Sequence, residues 1–376
     1  MSGFIRKFTK QIIIACNVLV SLYMLLLYML PHSNQLHFWF LNLTALAFPF
    51  LIVVQIGFLI FWLIAKRKLA LIPLITIVLC WPFVRSLFAL NKKSSNQESS
   101  FTTASWNVHL FDFYENNGTL DAAMMKSAVN LNADVLAVQE LVFSIDSSSD
   151  ISFEKVKKKL GYQYGVAGND RRFGVHTHPG KRTERYYAFS IALFSKYPIL
   201  QWQKVQPLRE YNHTFIWADI KIGNDTIRFF NVHLQSMHFA KTDYDFIEAI
   251  DNSGIEEVKK GSKSLLSKIK VANIVRSIQI NAVKEEIVSS PHPVVLCGDF
   301  NDVPNSYAYQ TINNLLDDAF TEGGYGTGRT FLKLSPTLRI DYIFHDEKLK
   351  PVYFKTIQKT KSDHRPVTAS FLIQEK

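Results

Sequence analysis

Residues 1 to 92 contain three long apolar stretches and not a single Asp or Glu. The stretches run from Gln11 to Leu30, Phe38 to Ala65, and Leu69 to Leu90. The first two are long enough to cross a hydrocarbon core of about 30 Å as helices. In lipid a helix is the element that satisfies its own backbone, so little else is open to them. The third is interrupted by Pro73, Pro82 and Arg85, but prolines are tolerated in membrane helices where neighbours satisfy the freed carbonyls. The first stretch exceeds the roughly 7 to 15 apolar residues of a cleaved signal, and no small-residue cleavage site follows Pro31. The expectation is three transmembrane helices. Arg6, Lys7 and Lys10 precede the first and Lys66, Arg67 and Lys68 follow the second, while Pro31 to His37 has no Lys or Arg. Both basic clusters therefore belong in the cytoplasm, which places residues from about 93 onward on the other side of an inner or plasma membrane. Lys92 and Lys93 pull weakly against this orientation.

The same residues explain the charge. The formal net charge is +10, of which +8 lies in residues 1 to 92, so the remainder is close to neutral. Nucleic-acid binding without sequence preference draws its affinity from phosphate neutralisation and usually shows a strongly basic face. Only local patches, Lys155 to Lys159 and Arg171-Arg172, offer one here. Cys16, Cys80 and Cys297 sit in apolar runs and propose no disulfide framework. The polar tract Asn91 to Ser100 reads as a linker. Three parts follow: an anchor over residues 1–92, a linker over 93–100 and a folded domain over 101–376.

Beyond the linker, apolar runs alternate with amphipathic stretches. Strands are expected at Thr103 to Val108, Val135 to Gln139, Tyr162 to Val166, Ala188 to Phe194, Phe215 to Ile222, Thr226 to Val232, Pro293 to Cys297, Ile340 to Phe344 and Val367 to Leu372. Helices are expected at Leu120 to Leu131, Phe153 to Leu160 and about Leu265 to Val288. Short turns such as Gly223-Asn224-Asp225 favour antiparallel pairs, and the whole fits two sheets packed face to face with helices outside. Two segments break the alternation: the basic stretch Asn169 to Arg185, read as a loop, and the mixed-charge insertion Met237 to Lys268. Both leave the polar rim and are placed to shape substrate access.

Several apolar runs end in a carboxylate, amide or imidazole, so those groups gather along one rim of the sheets. Glu140 follows the run Asp134 to Gln139 and pairs with Asn107 from the preceding strand in a set suited to a divalent cation. Magnesium prefers one or two carboxylates plus water and substrate phosphate oxygens, and Glu140 is the first choice of ligand. Asp299 and Asn301, two apart, point to one face if the strand continues, and Gly298 permits close backbone approach. His364 can take a proton from water if a carboxylate holds its other nitrogen, and Asp341, inside an apolar strand, suits that task. Asp363 is then better placed near the metal. His233 is the second imidazole, available to a phosphoryl oxygen. His176-Thr177-His178 has zinc-like spacing but no further Cys or His nearby, and is assigned to the loop. Neither a phosphate-binding Gly-Lys-Ser/Thr loop nor a Gly-x-Ser-x-Gly elbow occurs.

In order, Trp106-Asn107, Gln139-Glu140, Leu193 to Ile199, Asn231-Val232-His233, Gly298-Asp299-Phe300-Asn301, Ile340-Asp341-Tyr342-Ile343 and Ser362-Asp363-His364-Arg365-Pro366 resemble the endonuclease/exonuclease/phosphatase superfamily from about residue 101 to the end. The resemblance implies an α/β fold, a four-layered sandwich of two mixed, largely antiparallel sheets flanked by helices. It also implies metal-dependent phosphoester cleavage, with Mg2+ (Mn2+ possible) as cofactor. Glu140 becomes the principal metal ligand with Asn107 and Asp363 beside it. Asp299 and Asn301 position water and phosphate, His364 is the general base oriented by Asp341, and His233 bonds the phosphate. Some family nucleases carry a tyrosine upstream of the Gly-Asp-Phe-Asn element, for which Tyr186 or Tyr187 are the candidates. The expected partners are a phosphoester substrate, nucleic acid or phospholipid, and the membrane through the N-terminal helices. A noncatalytic membrane-bound binding protein is a third reading; the filled polar positions speak against it.

Overall fold

The computed structural model describes residues 2–29, 45–91, 98–168, 171–176, 184–208, 214–237, 255–333 and 335–374. Residues 31–37, most of the linker, residues 177–183 of the basic segment and residues 238–254 of the insertion lie outside the described residues. The chain divides into two compact units, one of Met1–Phe88 with Met237–Ile274 and Val303–Gln310, the other of Ala89–Ser236, Val275–Asp302 and Thr311–Lys376.

In the first unit, helices α1 (Ser2–Met29) and α2 (Phe48–Ala65) are both long and apolar enough to span a membrane. The third apolar stretch is not one straight helix. Helix α3 (Leu71–Leu79) and helix α4 (Trp81–Leu87) meet at Cys80 with a bend of 67°. Pro82 lies in the first turn of α4, where a missing N–H costs nothing, but it cannot continue the ladder of α3. Pro73 likewise falls in the first turn of α3. Between α1 and α2, Asn17 donates to Gln55 at 3.3 Å and Gln55 donates to Ser21 at 2.6 Å, a buried amide clamp in apolar surroundings.

The second unit carries two large sheets, besides the two-stranded pair Ala89–Leu90 and Tyr325–Gly326. Along the chain its strands are β1 (Phe101–Asn107), β2 (Val135–Ser144), β3 (Tyr164–Ala167), β4 (Arg171–His176), β5 (Glu184–Ser195), β6 (Ile199–Val205), β7 (Phe215–Ile222), β8 (Asp225–His233), β9 (Val294–Asp299), β10 (Asp341–His345), β11 (Leu349–Thr356) and β12 (Val367–Ile373). One sheet has the order β11-β12-β1-β2-β5-β3 with β4 paired to β5; the other runs β10-β9-β8-β7-β6, with the two-residue strand Asp317–Asp318 outside β10. Their inner faces share one core, in which Val135, Ala137 and Leu193 meet Ile216, Phe229, Val295 and Ile343. On the outer face of the first sheet, helices α5 (Ala122–Asn130) and α6 (Phe153–Lys159) cover Trp106, Leu136 and Val138. Over the second sheet, Glu286 of helix α7 (Ile255–Val288) accepts a bond from Trp217 at 3.1 Å. The α/β sandwich expected from the sequence is present.

One local expectation changes, and two strands come in addition. The basic segment read as a loop contributes β4 and the start of β5, an antiparallel pair in which Arg171 lies opposite Phe189. Strand β6 has four exposed residues in a row at the sheet edge, so little apolar alternation marks it. Strand β11 contains Pro351 at a register shift, which an edge position tolerates.

Candidate active site

Strand register assembles the site. On β9, Asp299 lies opposite His233 of the parallel β8 and opposite Asp341 of the antiparallel β10, so one row of the sheet reads His233, Asp299, Asp341. Gly298 makes this possible: its φ is 152°, and a Cβ there would collide with the Val232 carbonyl. On the other sheet Asn107 closes β1 opposite Gln139. Strand β2 does not stop at Glu140, as the apolar run had suggested, but continues to Ser144. Glu140 instead sits in a bulge, with φ of 53° and a register shift between Val138 and Leu141. The extra residue turns its carboxylate out of the ladder and toward the rim.

Side chains then join the sheets. The Asn107 amide donates to Glu140 at 3.1 Å and to Asp299 at 3.0 Å. Deeper, Gln139 donates to Ser105 at 3.1 Å and to Asn231 at 2.7 Å, and Asn231 donates to the carbonyls of Val138 and Ala192 at 2.9 and 2.8 Å. His364 Nδ1 lies 3.0 and 3.2 Å from the two Asp341 oxygens and 3.7 Å from Asp299. His233 Nε2 is 3.7 Å from Glu140 and 3.8 Å from Asp299. Six of the expected residues, Asn107, Glu140, His233, Asp299, Asp341 and His364, thus form one connected cluster.

The other two stand differently. Asp363 pairs with Lys333 at 2.8 Å. Asn301 does not share a strand face with Asp299, because β9 ends at Asp299 and Asn301 is left-handed with φ of 51°. Its backbone N–H caps the Asp299 carboxylate at 2.8 Å, and its amide donates to the Leu234 carbonyl at 3.0 Å.

Comparison with known proteins assigns the family. The family model described as Endonuclease/Exonuclease/phosphatase family matches residues 104–364. The chain belongs to this family. A second model, described as a domain of unknown function, matches residues 10–87. Among solved structures, an endonuclease/exonuclease/phosphatase from Beutenbergia cavernae is 16% identical with a TM-score of 0.50, covering 73% of this chain and 72% of its own. One from Bacteroides vulgatus is 16% identical with a TM-score of 0.48, covering 73% and 99%. A mannosyl-6-phosphatase from Bacteroides thetaiotaomicron is 16% identical with a TM-score of 0.45, covering 72% and 99%. No curated protein matches. For a member of the endonuclease/exonuclease/phosphatase family, the connected cluster occupies the part of the chain that the family model spans.

The electrostatics follow from crowding acids in a dry place. Burial, with Asp341 alongside, pushes Asp299 up to about 6 against the opposing pull of His364 and His233. Burial lowers the His364 imidazole, but Asp341, Asp299 and Asp363 outweigh it and raise it to about 10. Burial also works to raise Asp363, and His364 and Lys333 override it to leave the carboxyl lowered. Hard oxygens of this kind fit a divalent cation. Asp299, Asp341 and His364 offer ligand atoms within 4.8 Å of one another, and Glu140 reaches the same group through Asn107. The buried Asp299 carboxylate, held above its ordinary range, is what a cation would relieve.

Sequence reasoning missed the support beneath these groups. Ser362 donates to the Asn107 carbonyl at 2.8 Å and accepts the His364 N–H at 3.1 Å, and Trp106 donates to the His364 carbonyl at 3.0 Å. The Phe331 ring lies 5.0 Å from the imidazole. Nothing periodic marks Thr330 or Phe331. Of the two tyrosines considered, Tyr187 is buried between Phe113 and Phe173 at 4.8 and 5.8 Å, while Tyr186 is exposed. His176 lies in β4, and its would-be partner His178 is outside the described residues.

Proposed function

We propose that this chain is a membrane-anchored, divalent-metal-dependent phosphodiesterase with its catalytic unit on the extracytoplasmic side. The observation that carries the reading is the row His233–Asp299–Asp341, with His364 bound to Asp341 and with Asn107 tying Asp299 to Glu140. An ionised carboxylate only accepts hydrogen bonds, so Asp341 keeps the proton on Nδ1 of His364 and leaves Nε2 to take one from water. That water attacks phosphorus in line, and the ester oxygen leaves. His233 and Asn301 are assigned to the phosphoryl oxygens, and Asp299 to the water. Glu140, Asn107 and Asp363 would hold Mg2+ or Mn2+, which would supply positive charge beside the phosphoryl oxygens and favour the neutral form of the nearby imidazole.

A phospholipid head group is the favoured substrate class. The unit's near-neutral charge disfavours a polyanion, and the anchor holds the enzyme at lipid. Past Glu140, strand β2 leads to a cavity of about 590 Å³ whose lining includes Ser144, Asp146, Asp150 and Tyr186 and no Lys or Arg. The full chain in detergent should hydrolyse bis-nitrophenyl phosphate with Mg2+ or Mn2+, and His364→Ala should lower kcat by about 10³-fold, within the range of general base catalysis. Equal rates in the variant would remove His364 from this role, and inactivity of the wild type would favour a noncatalytic binding protein. Sphingomyelin set against plasmid DNA then separates lipid from nucleic acid. For orientation, a C-terminal reporter that fluoresces only in the cytoplasm should stay dark.

A further inference from the structure

The two members of the general-base pair come from segments 23 residues apart, and one residue bonds to Asp341 and to the residue that follows His364. Thr330 is fully buried. Its hydroxyl oxygen accepts the backbone N–H groups of Ile340 at 2.9 Å and Asp341 at 3.1 Å. Its carbonyl accepts the N–H of Arg365 at 2.8 Å, the residue that follows His364. Its own N–H donates to Leu338 at 3.0 Å. On either side the strap is tied down again. Phe331 forms an antiparallel bridge with His364, Leu332 donates to the Asp363 carbonyl at 2.9 Å, and Arg329 donates to the carbonyls of Phe331 and Leu332 at 2.9 and 2.6 Å.

A hydroxyl oxygen has two lone pairs, and here both meet an N–H. One of these belongs to the residue whose carboxylate orients the imidazole. That carboxylate reaches Nδ1 with both oxygens, at 3.0 and 3.2 Å. A displacement of about 1 Å in such an arrangement can cost about 10²-fold in rate. We propose that Thr330 is a positioning residue for the reaction: its hydroxyl fixes the backbone of Asp341, and its carbonyl fixes the segment of His364, so that the two side chains meet. The inference rests on the phosphoesterase reading above, but it concerns a geometry that can be observed without turnover.

Thr330→Val keeps the shape and removes the acceptor; Thr330→Ser keeps the acceptor and removes a methyl group. In the full chain in detergent, acting on bis-nitrophenyl phosphate, Thr330→Val should lower kcat by about 10- to 100-fold with KM changed less than about twofold. Thr330→Ser should recover kcat to within about threefold. In an Asp341→Asn background, Thr330→Val should add no further loss, because its effect passes through Asp341. Histidine-selective 15N NMR gives the readout independent of activity. The downfield Nδ1–H signal of His364, assigned by its absence in His364→Gln, should shift in Thr330→Val and persist in Thr330→Ser. Equal losses in the Val and Ser variants, additive losses with Asp341→Asn, or an unshifted signal in Thr330→Val would each overturn the proposal. If Thr330→Val does not fold, Thr330→Ser decides: kcat held while Tm falls supports the role, and kcat falling with Tm overturns it. A wild-type chain inactive on the diester would sink the phosphoesterase reading alone, and the NMR comparison would still decide the geometry.

Discussion

Two sets of buried charges in the catalytic unit differ in how they are balanced. Arg339 meets Asp318 at 2.6 Å and stacks over Phe320 and Tyr342 at 4.4 and 4.7 Å. Arg228 grips both oxygens of Asp219 at 2.7 and 2.9 Å, over the Trp217 ring at 3.7 Å. In each pair a guanidinium faces a carboxylate directly. In the rim cluster, by contrast, the ionic partners of Asp299, Asp341 and Glu140 among the described residues are two imidazoles. Acids gathered in a dry place with too little positive charge are costly to hold. The closed pairs tie neighbouring segments of one sheet, and the open cluster has the composition of a site that takes up a cation.

Breaking a closed pair should act on stability. Asp318→Asn takes the carboxylate away from the buried Arg339 charge, which should cost about 3 to 5 kcal/mol in thermal unfolding while kcat of the folded fraction stays put. An unchanged Tm would show that the pair does not carry the load assigned to it. Breaking the open cluster should do the reverse. Glu140→Gln should lower kcat/KM by about 10²- to 10³-fold, a range typical for removing one preorganised charge-stabilising group, and leave the metal-free protein no less stable. It should also abolish any rise in Tm on adding Mg2+ or Mn2+.

The pH dependence sharpens the contrast. Asp299 is raised from 3.8 to about 6, so the folded state holds that proton more tightly than the unfolded chain does. Its contribution to stability is fully present below pH about 4 and is lost as pH rises through about 6, a change of about 3 kcal/mol. Thermal unfolding of metal-free protein between those limits should show this fall, and Asp299→Asn should flatten it; parallel curves for the two would refute the assignment. The smallest effect belongs to the anchor. Gln55→Leu removes the amide clamp to Asn17 and Ser21 and should weaken helix association by about 0.6 kcal/mol without altering kcat. A large loss of activity would tie the anchor to the chemistry after all.

Much of this was legible before any coordinates. The apolar anchor follows from composition, because hydrocarbon leaves a chain few alternatives to a helix. Asn107, His233 and Asp299 stand at ends of apolar runs, and a run buried in a sheet brings such ends to one rim. Glu140 was placed on the rim for the wrong local reason, since a bulge in the middle of β2 presents it rather than the end of a strand. Asn301 departs because alternation stops where β9 stops.

By itself, then, the sequence determined helices apolar enough to cross a membrane, the order of strands that bear polar groups, and the kinds of side chain they carry, because hydropathy and residue type are local properties. Only the tertiary structure decided that His233, Asp299 and Asp341 fall in one row, that a left-handed Glu140 joins them through Asn107, and that Thr330 underlies the pair. Those outcomes depend on the register between strands remote in sequence and on hydrogen bonds whose partners no local pattern specifies.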